Sequence, residues 1–191
     1  MYDAVNDPYC YFGTKVLKNR ANIGRAKELR QFELVMTTQR FDEPLPRGRF
    51  SVSHYCAVHH HLFQDVYSWA GKFRSVRISR RGSAFCYPEQ IAREMRRLFA
   101  DLRKRHFLRE LSQKEFAIQA AHFLAELNAI HAFRDGNGRS QLAFVTMLAD
   151  RAGHPFDLAR LRPVKFLKAM VASFFGNEKL LAAELVKVIR R

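Results

Sequence analysis

The chain has 191 residues, 48% hydrophobic and 27% charged, which suits one domain, or one with a decorated end, built on a substantial core. No apolar run approaches the roughly 18 residues that a membrane-spanning helix needs, and Met1 to Pro8 lacks the basic flank and apolar stretch of a signal peptide. Lys and Arg number 33 against 18 Asp and Glu, a net charge of +15 that favours anionic partners, yet no helix-turn-helix, zinc-finger or stacking-sheet motif points to nucleic acid.

The first 20 residues carry aromatic and turn signals, Asp7-Pro8-Tyr9 and then Tyr11-Phe12-Gly13, and are expected to form an arm packed on the domain. Residues 25–40 read as a helix, and Pro44, Pro46 and Gly48 mark a loop after it. With Ser51 or Ser53 as cap, Tyr55, Val58, Leu62, Phe63 and Val66 recur at helical spacing. That predicts a helix ending near Trp69-Ala70-Gly71, with Gly71 as a left-handed cap. Over residues 73–85 the period changes. Val76 and Ile78 alternate with Arg77 and Ser79, and Arg80-Arg81-Gly82-Ser83 offers a turn, so a short β-hairpin is expected.

Pro88 opens a helix to the region of Lys104, with Ile91, Met95, Leu98 and Leu102 on one face. Ser112-Gln113-Lys114-Glu115 is a capping box, in which the Ser and Glu side chains satisfy each other's orphan backbone N–H groups. The helix behind it carries Phe116, Ala120, Leu124, Leu127 and Ile130 as one stripe. Residues 131–138 interrupt with two glycines, an apolar helix follows from Arg139 to Ala152, and residues 163–190 are helical with a break around Gly176. The fold class is mainly α with one hairpin.

The histidines at 54, 59, 60 and 61 do not read as a metal site. Consecutive helical positions point apart, and only i, i+4 pairs share a face; one or two of these rings are expected to pack and the rest to be solvated. Cys10, Cys56 and Cys86 are odd in number and widely spaced, as in reduced thiols of a cytosolic setting.

The chemistry concentrates in residues 131–139, His-Ala-Phe-Arg-Asp-Gly-Asn-Gly-Arg. Gly136 and Gly138 flank Asn137 at a helix entrance, where converging backbone N–H groups and the positive end of the helix dipole form a nest for phosphate oxygens. Arg139 adds a permanent charge with a fork suited to phosphate. Asp135 can hold a divalent cation that also binds phosphates. His131 is the one side chain of the loop able to take a proton near neutral pH. Phe133 is expected to pin the loop to the core.

This stretch resembles the Fic signature His-x-Phe-x-Asp/Glu-Gly-Asn-Gly-Arg-x-x-Arg, and matches it through Arg139. His59 to Arg74, which includes Tyr67-Ser68-Trp69-Ala70-Gly71-Lys72, is similar to the family's helix leading into its target-binding hairpin. Asp7-Pro8-Tyr9, Gly13-Thr14, Val16 to Asn19 and Ile23 are similar to the arm of bacterial Fic toxins and translocated effectors. Two departures stand out: Ala132 replaces the motif's usual Pro, and Leu142 replaces its second Arg, which in the family contacts the distal phosphates of ATP.

The resemblance implies a Fic-type helical core with one hairpin flap. Residues 1–50 would form the arm and a helix packed on the core, and residues 51–191 the Fic domain. It implies Mg²⁺-dependent transfer of AMP from ATP to a Tyr, Thr or Ser hydroxyl of a target protein. In that reading His131 is the general base, Asp135 the Mg²⁺ ligand, Gly136, Asn137, Gly138 and Arg139 the phosphate cradle, and Phe133 the loop anchor. The flap over residues 73–85 holds the target along Val76, Arg77, Ile78 and Ser79. Gly138, where kinase-like relatives have Lys, favours nucleotidyl over γ-phosphoryl transfer. With Leu142 in place, two alternatives stand beside this reading: a catalytically weakened Fic-like binding module, and a Fic enzyme using another nucleotide or phosphodiester donor, with Arg134, Arg80 or Arg81 as candidates for the missing charge. No Ser or Thr has Glu four residues later, the family's inhibitory spacing, so a separate small acidic antitoxin-like protein is the expected inhibitor, with Arg139 as the partner for its Glu. The expected location is the bacterial cytoplasm, or a recipient cell reached through a secretion system without a cleaved signal peptide.

Overall fold

The structure, a computed structural model, describes residues 7–80 and 82–190. Met1 to Asn6, Arg81 and Arg191 lie outside the described residues, and with them one position of the expected hairpin turn. Backbone contacts divide the chain into two compact units. One holds the residues up to Ile91 together with Ala132–Ser140; the other holds Ala92–His131 together with the residues from Gln141 onward.

The first unit begins with the arm, where Cys10 and Leu17 form an isolated antiparallel bridge. The buried Asn19 side chain closes the next turn, donating to the Leu17 and Ile23 carbonyls and accepting from the Ile23 N–H. Helix α1, Ala26–Asp42, packs on α2, Val52–Phe63. A bidentate ion pair from Arg40 to Asp65 (2.6 and 2.9 Å) ties the end of α1 to the turn after α2. Ser51 caps α2 by accepting from the His54 N–H at 3.2 Å. Tyr55, Val58, Leu62 and Phe63 bring the expected apolar stripe into the core at 1% exposure or less.

Helix α2 stops at Phe63, several residues before the predicted Trp69-Ala70-Gly71. In a continued helix the Val66 carbonyl would accept from the Ala70 N–H. Here the arm takes that carbonyl, through the Arg20 N–H at 2.8 Å, and the Ala70 N–H turns to the Tyr67 carbonyl. The arm thus occupies a carbonyl that a longer helix would need, and local spacing could not reveal it. Gly71 keeps its predicted positive φ (+80°), now in a turn against α2, where a Cβ would lie 2.9 Å from the Cys56 carbonyl oxygen.

The hairpin is shorter than the alternation suggested: β1, Ser79–Arg80, pairs antiparallel with β2, Ser83–Ala84, in the register Ser79 to Ala84 and Arg80 to Ser83. Gly82 takes φ +80° in the turn. Helix α3, Pro88–Lys104, follows, with Ile91, Met95, Leu98 and Leu102 all buried as predicted.

In the second unit the chain leaves α3 through His106–Leu108, a turn with left-handed φ of 52°, 56° and 59°. This conformation costs roughly 1–2 kcal/mol per residue, and Leu108 buries its side chain there. Helix α4, Gln113–Ile130, starts at Ser112 with both hydrogen bonds of the capping box present. Phe116, Ala120, Leu124, Leu127 and Ile130 are buried, and each Phe or Leu so placed contributes about 1.5–3 kcal/mol. Helix α5 is Asn137–Ala152, beginning two residues earlier than predicted. The last two helices are α6, Pro163–Phe174, and α7, Lys179–Val188; they pack on each other and on α4, and Gly176 (φ +89°) breaks the chain between them. No helix among the described residues is long and apolar enough to cross a membrane.

Candidate active site

The loop that joins α4 to α5 carries the candidate residues, and it starts on a histidine in an uncommon conformation. His131 is the C-cap of α4, left-handed at φ 50°, with its N–H on the Leu127 carbonyl at 3.1 Å. Gly or Asn normally takes this position. The buried ring sets Nδ1 3.1 Å from the Asn128 carbonyl oxygen. A carbonyl can only accept, so the neutral ring carries its proton on Nδ1 and its lone pair on Nε2. That is the tautomer a proton acceptor needs.

The next residues belong to the first unit and are braced from inside. Phe133 is fully buried, with its ring tilted against Tyr55 at 5.2 Å. Asn137 is also fully buried, and its side chain grips the Phe133 peptide unit. Its Oδ1 accepts from the Phe133 N–H at 2.9 Å, and its Nδ2 donates to the Phe133 carbonyl at 2.8 Å. The Asn137 amide is thus a brace, and its backbone N–H lies at the start of α5, where helices leave such groups without internal acceptors. The first N–H to turn inward is that of Ser140, onto the Gly136 carbonyl at 3.1 Å.

The two glycines differ in kind. Gly136 has φ +77°, and a Cβ there would lie 2.3 to 2.9 Å from the Phe63 ring. Gly138 is exposed, and a Cβ would meet nothing within 4 Å. The first glycine is required by the fold, whereas the second leaves open space over the helix start.

His59, read from sequence as one of a helical cluster, turns out to be the underside of the loop. It is fully buried, and its Nδ1 accepts from the Gly71 N–H at 2.9 Å, which places its proton on Nε2, facing the Asp135 carbonyl at 3.0 Å. Its ring stacks on Phe133 at 3.7 Å and on Phe63 at 4.7 Å. Burial pushes its pKa down to about 3, with the Arg139 guanidinium and His60 adding to the effect and the Asp135 carbonyl opposing it.

The charged residues of the loop have unequal freedom. Asp135 accepts from the Gly136 N–H at 2.7 Å through Oδ1. Burial raises its pKa above the ordinary carboxylate value, the Glu33 carboxylate raises it further, and the Gly136 N–H and two arginines work against both. Arg134, a candidate for the missing phosphate charge, is buried and paired with Asp7 of the arm (Nε to Oδ2, 2.7 Å). It fastens the arm, and it also lines the cavity beside Asp135. Arg139 is held by Glu33 and Thr37 of α1 and lies 4.6 Å over the Phe63 ring. A cavity of about 220 Å³ borders the loop here, lined among others by Lys15, Arg30, Glu33, Tyr67 and Asp135. Leu142 sits half-buried in α5.

Of the flap residues, Ile78 is buried, Arg77 exposed, and Val76 and Ser79 intermediate; only Ser79 lies within the paired strand. Arg74, which no local pattern singled out, fixes the base of the hairpin to the loop. Its guanidinium is buried and donates to the Val76 and Cys86 carbonyls at 2.7 and 2.5 Å, while its N–H donates to the Ala132 carbonyl at 2.9 Å. Burial lowers its pKa to about 10.

Residues 49–149 match the Fic/DOC family. The chain is 52% identical, over 98% of both chains, to the probable protein adenylyltransferase y4lH of Sinorhizobium fredii. It is 34% identical to the probable protein adenylyltransferase Fic of Salmonella typhimurium, over 96% of this chain and 92% of that protein. Among solved structures, the BepC protein of Bartonella tribocorum with bound AMPPNP superposes with a TM-score of 0.86 at 26% identity, covering 95% of this chain and 96% of that one.

Two predictions follow from this geometry. Gly136→Ala should lower the melting temperature sharply, since strain and overlap with Phe63 act together and overpacking alone costs about 1–3 kcal/mol, while Gly138→Ala melts at or slightly above wild type; equal melting of the two variants would contradict the assignment. The second concerns pH. Below about 6.5 the unfolded His59 imidazole takes up a proton that the folded one refuses until about pH 3, so its contribution to stability is complete above that window and is lost as pH falls through it. Urea unfolding between pH 7 and 4 should show a shallower loss of stability in His59→Gln than in wild type.

Proposed function

This chain belongs to the Fic/DOC family, and we propose that it is a protein adenylyltransferase in which His131 is the base and the start of α5 the phosphate cradle. The observation that carries this reading is the tautomer of His131: Nδ1 faces a carbonyl oxygen, so Nε2 bears the lone pair. Nε2 takes the proton of a target Tyr, Thr or Ser hydroxyl as that oxygen bonds to the α-phosphorus of ATP. The bond from the α-phosphorus to the bridging oxygen breaks, and pyrophosphate leaves. The backbone N–H groups at Gly136 to Arg139 stabilise the charge that moves onto phosphate oxygens, and the Arg139 guanidinium holds the phosphates of bound ATP.

Asp135 suits a hard divalent cation. One of its oxygens is already fixed by the Gly136 N–H, the carboxylate borders the cavity, and Mg²⁺ commonly takes a single protein carboxylate together with substrate phosphates. When bound, Mg²⁺ supplies neutralisation of phosphate charge. The hairpin, with Val76, Arg77, Ile78 and Ser79 leading into β1, is suited to hold an extended target segment by strand-like pairing.

A second reading concerns the donor. Leu142 stands where the motif has its second Arg, so distal phosphates would lack the one cation that the full motif places there, with Lys15, Arg30 and the Asp7-paired Arg134 lining the cavity. A nucleotide or phosphodiester donor with fewer phosphates fits that deficit, and the position of the transferred label in the donor separates the two. For control, the basic chain favours a small acidic inhibitory protein; delivery into a recipient cell is consistent with the likeness to Bartonella effectors.

Transfer of label from α-³²P-ATP should be lost in His131→Ala, by about 10²–10⁴-fold, with nucleotide binding retained in calorimetry. Asp135→Ala should lose the Mg²⁺-dependent transfer; activity retained with an unchanged Mg²⁺ titration would remove Asp135 as the metal ligand. Near-normal transfer by His131→Ala would remove the base from the mechanism.

A further inference from the structure

Arg139 is the one guanidinium of the candidate cradle, and it is not left to find its own orientation. Helix α1 supplies two partners for it, one turn apart. Its Nη2 donates to Oε1 of Glu33, and its Nη1 donates to the Thr37 hydroxyl at 3.2 Å. The plane of the group lies 4.6 Å over the Phe63 ring. Glu33 is in turn held from behind: its other oxygen, Oε2, accepts from the Tyr67 hydroxyl. Tyr67 is only 2% exposed, stacks on Trp69 at 4.4 Å, and has a pKa raised by burial first and by the Glu33 carboxylate second. Thr37 is fixed by donating its own hydroxyl proton to the Glu33 carbonyl at 2.8 Å.

We infer that Glu33 is a positioning residue for Arg139, which holds the cradle arginine in its phosphate-binding orientation through a chain from Tyr67 to Glu33 to Arg139. This rests on the adenylyltransferase reading of the loop. Two features separate it from a carboxylate that merely masks the arginine. First, a guanidinium has five N–H donors, and Glu33 and Thr37 engage one on each terminal nitrogen, so the Nε–H edge and a hydrogen on each Nη stay available to phosphate. Second, Glu33 cannot swing away when phosphate arrives. Its side chain is 14% exposed, and releasing it would strand a carboxylate against a buried phenol. A group anchored on both oxygens acts as a support for the arginine, of the kind that rigid binding sites need behind the residues that touch ligand.

The role makes Glu33 matter for ATP only through Arg139, and a double-mutant cycle reads that directly. Label transfer would be measured against ATP concentration for wild type, Glu33→Ala, Glu33→Gln, Arg139→Ala and Glu33→Ala/Arg139→Ala. Glu33→Ala should raise the ATP KM about tenfold or more with a smaller change in kcat, the pattern of a lost contact made equally in ground and transition states. Glu33→Gln retains an oxygen for Arg139 and should fall within about threefold of wild type. In the Arg139→Ala background, Glu33→Ala should change KM no further. A rise in kcat/KM on Glu33→Ala would make Glu33 a mask, and a KM effect that persists without Arg139 would make it a fold determinant; either result overturns the inference. Should Glu33→Ala not fold, Thr37→Val and Tyr67→Phe in the same cycle test the two ends of the chain of contacts. If wild type transfers no label, the adenylyltransferase reading fails by itself, and ATP binding by calorimetry on the same variants still decides the role of Glu33.

Discussion

A neutral imidazole sealed from water is the constraint on which the candidate site depends. His59 accepts the Gly71 N–H on one nitrogen and faces the Asp135 carbonyl with the other. It therefore joins three stretches that are far apart in sequence: the middle of α2, the turn that ends the segment after it, and the loop before α5. Its flat faces lie between Phe63 and Phe133, so the same ring that fixes two backbone groups also fills the core beneath them. Few side chains can do both. A phenyl ring would fill the space and take away the partner that the part-buried Gly71 N–H and Asp135 carbonyl now have.

Above that ring the loop is rigid for reasons internal to it. Asn137 closes a two-way pair of hydrogen bonds with the Phe133 peptide unit, and Gly136 fits only because it has no Cβ. The peptide groups around the start of α5 are thus fixed before any ligand arrives. Preorganised donors gain most from such fixing, since no reorganisation is needed when charge develops. The guanidinium of Arg139 is preorganised by a different route, through side chains of α1 that contribute no backbone to the loop. Cradle and support come from different elements, and the support is a carboxylate placed near the Asp135 carboxyl, whose pKa it raises.

Two of the differences between expectation and structure share one cause. Helix α2 was expected to run to Gly71, but it stops at Phe63 and the arm takes the Val66 carbonyl that a longer helix would need. Arg134 was a candidate for phosphate charge, but the arm takes its guanidinium through Asp7. In each case a polar group was assigned from its sequence neighbours, and a residue dozens of positions away had claimed it. Ionic and hydrogen-bonding groups are saturable, so one distant partner is enough to change a role.

By itself the sequence determined the helical elements, the capping box at Ser112, the apolar stripe of α4, the family, and the nine-residue loop with His131, Asp135 and its two glycines. These are legible because periodicity, caps and turn residues act over a few positions, and a chemical motif only needs its residue types in order. The tertiary structure alone decided that Asn137 braces the loop, that His59 is the buried histidine beneath it, that Arg74 ties hairpin to loop, and that Glu33 holds Arg139. The His59–Asp135 and Glu33–Arg139 pairs span 76 and 106 positions, and pairing over such separations leaves no periodic trace in the chain. The Asn137 and Arg74 contacts, over 4 and 12 positions, depend on the turns that the loop and the hairpin adopt.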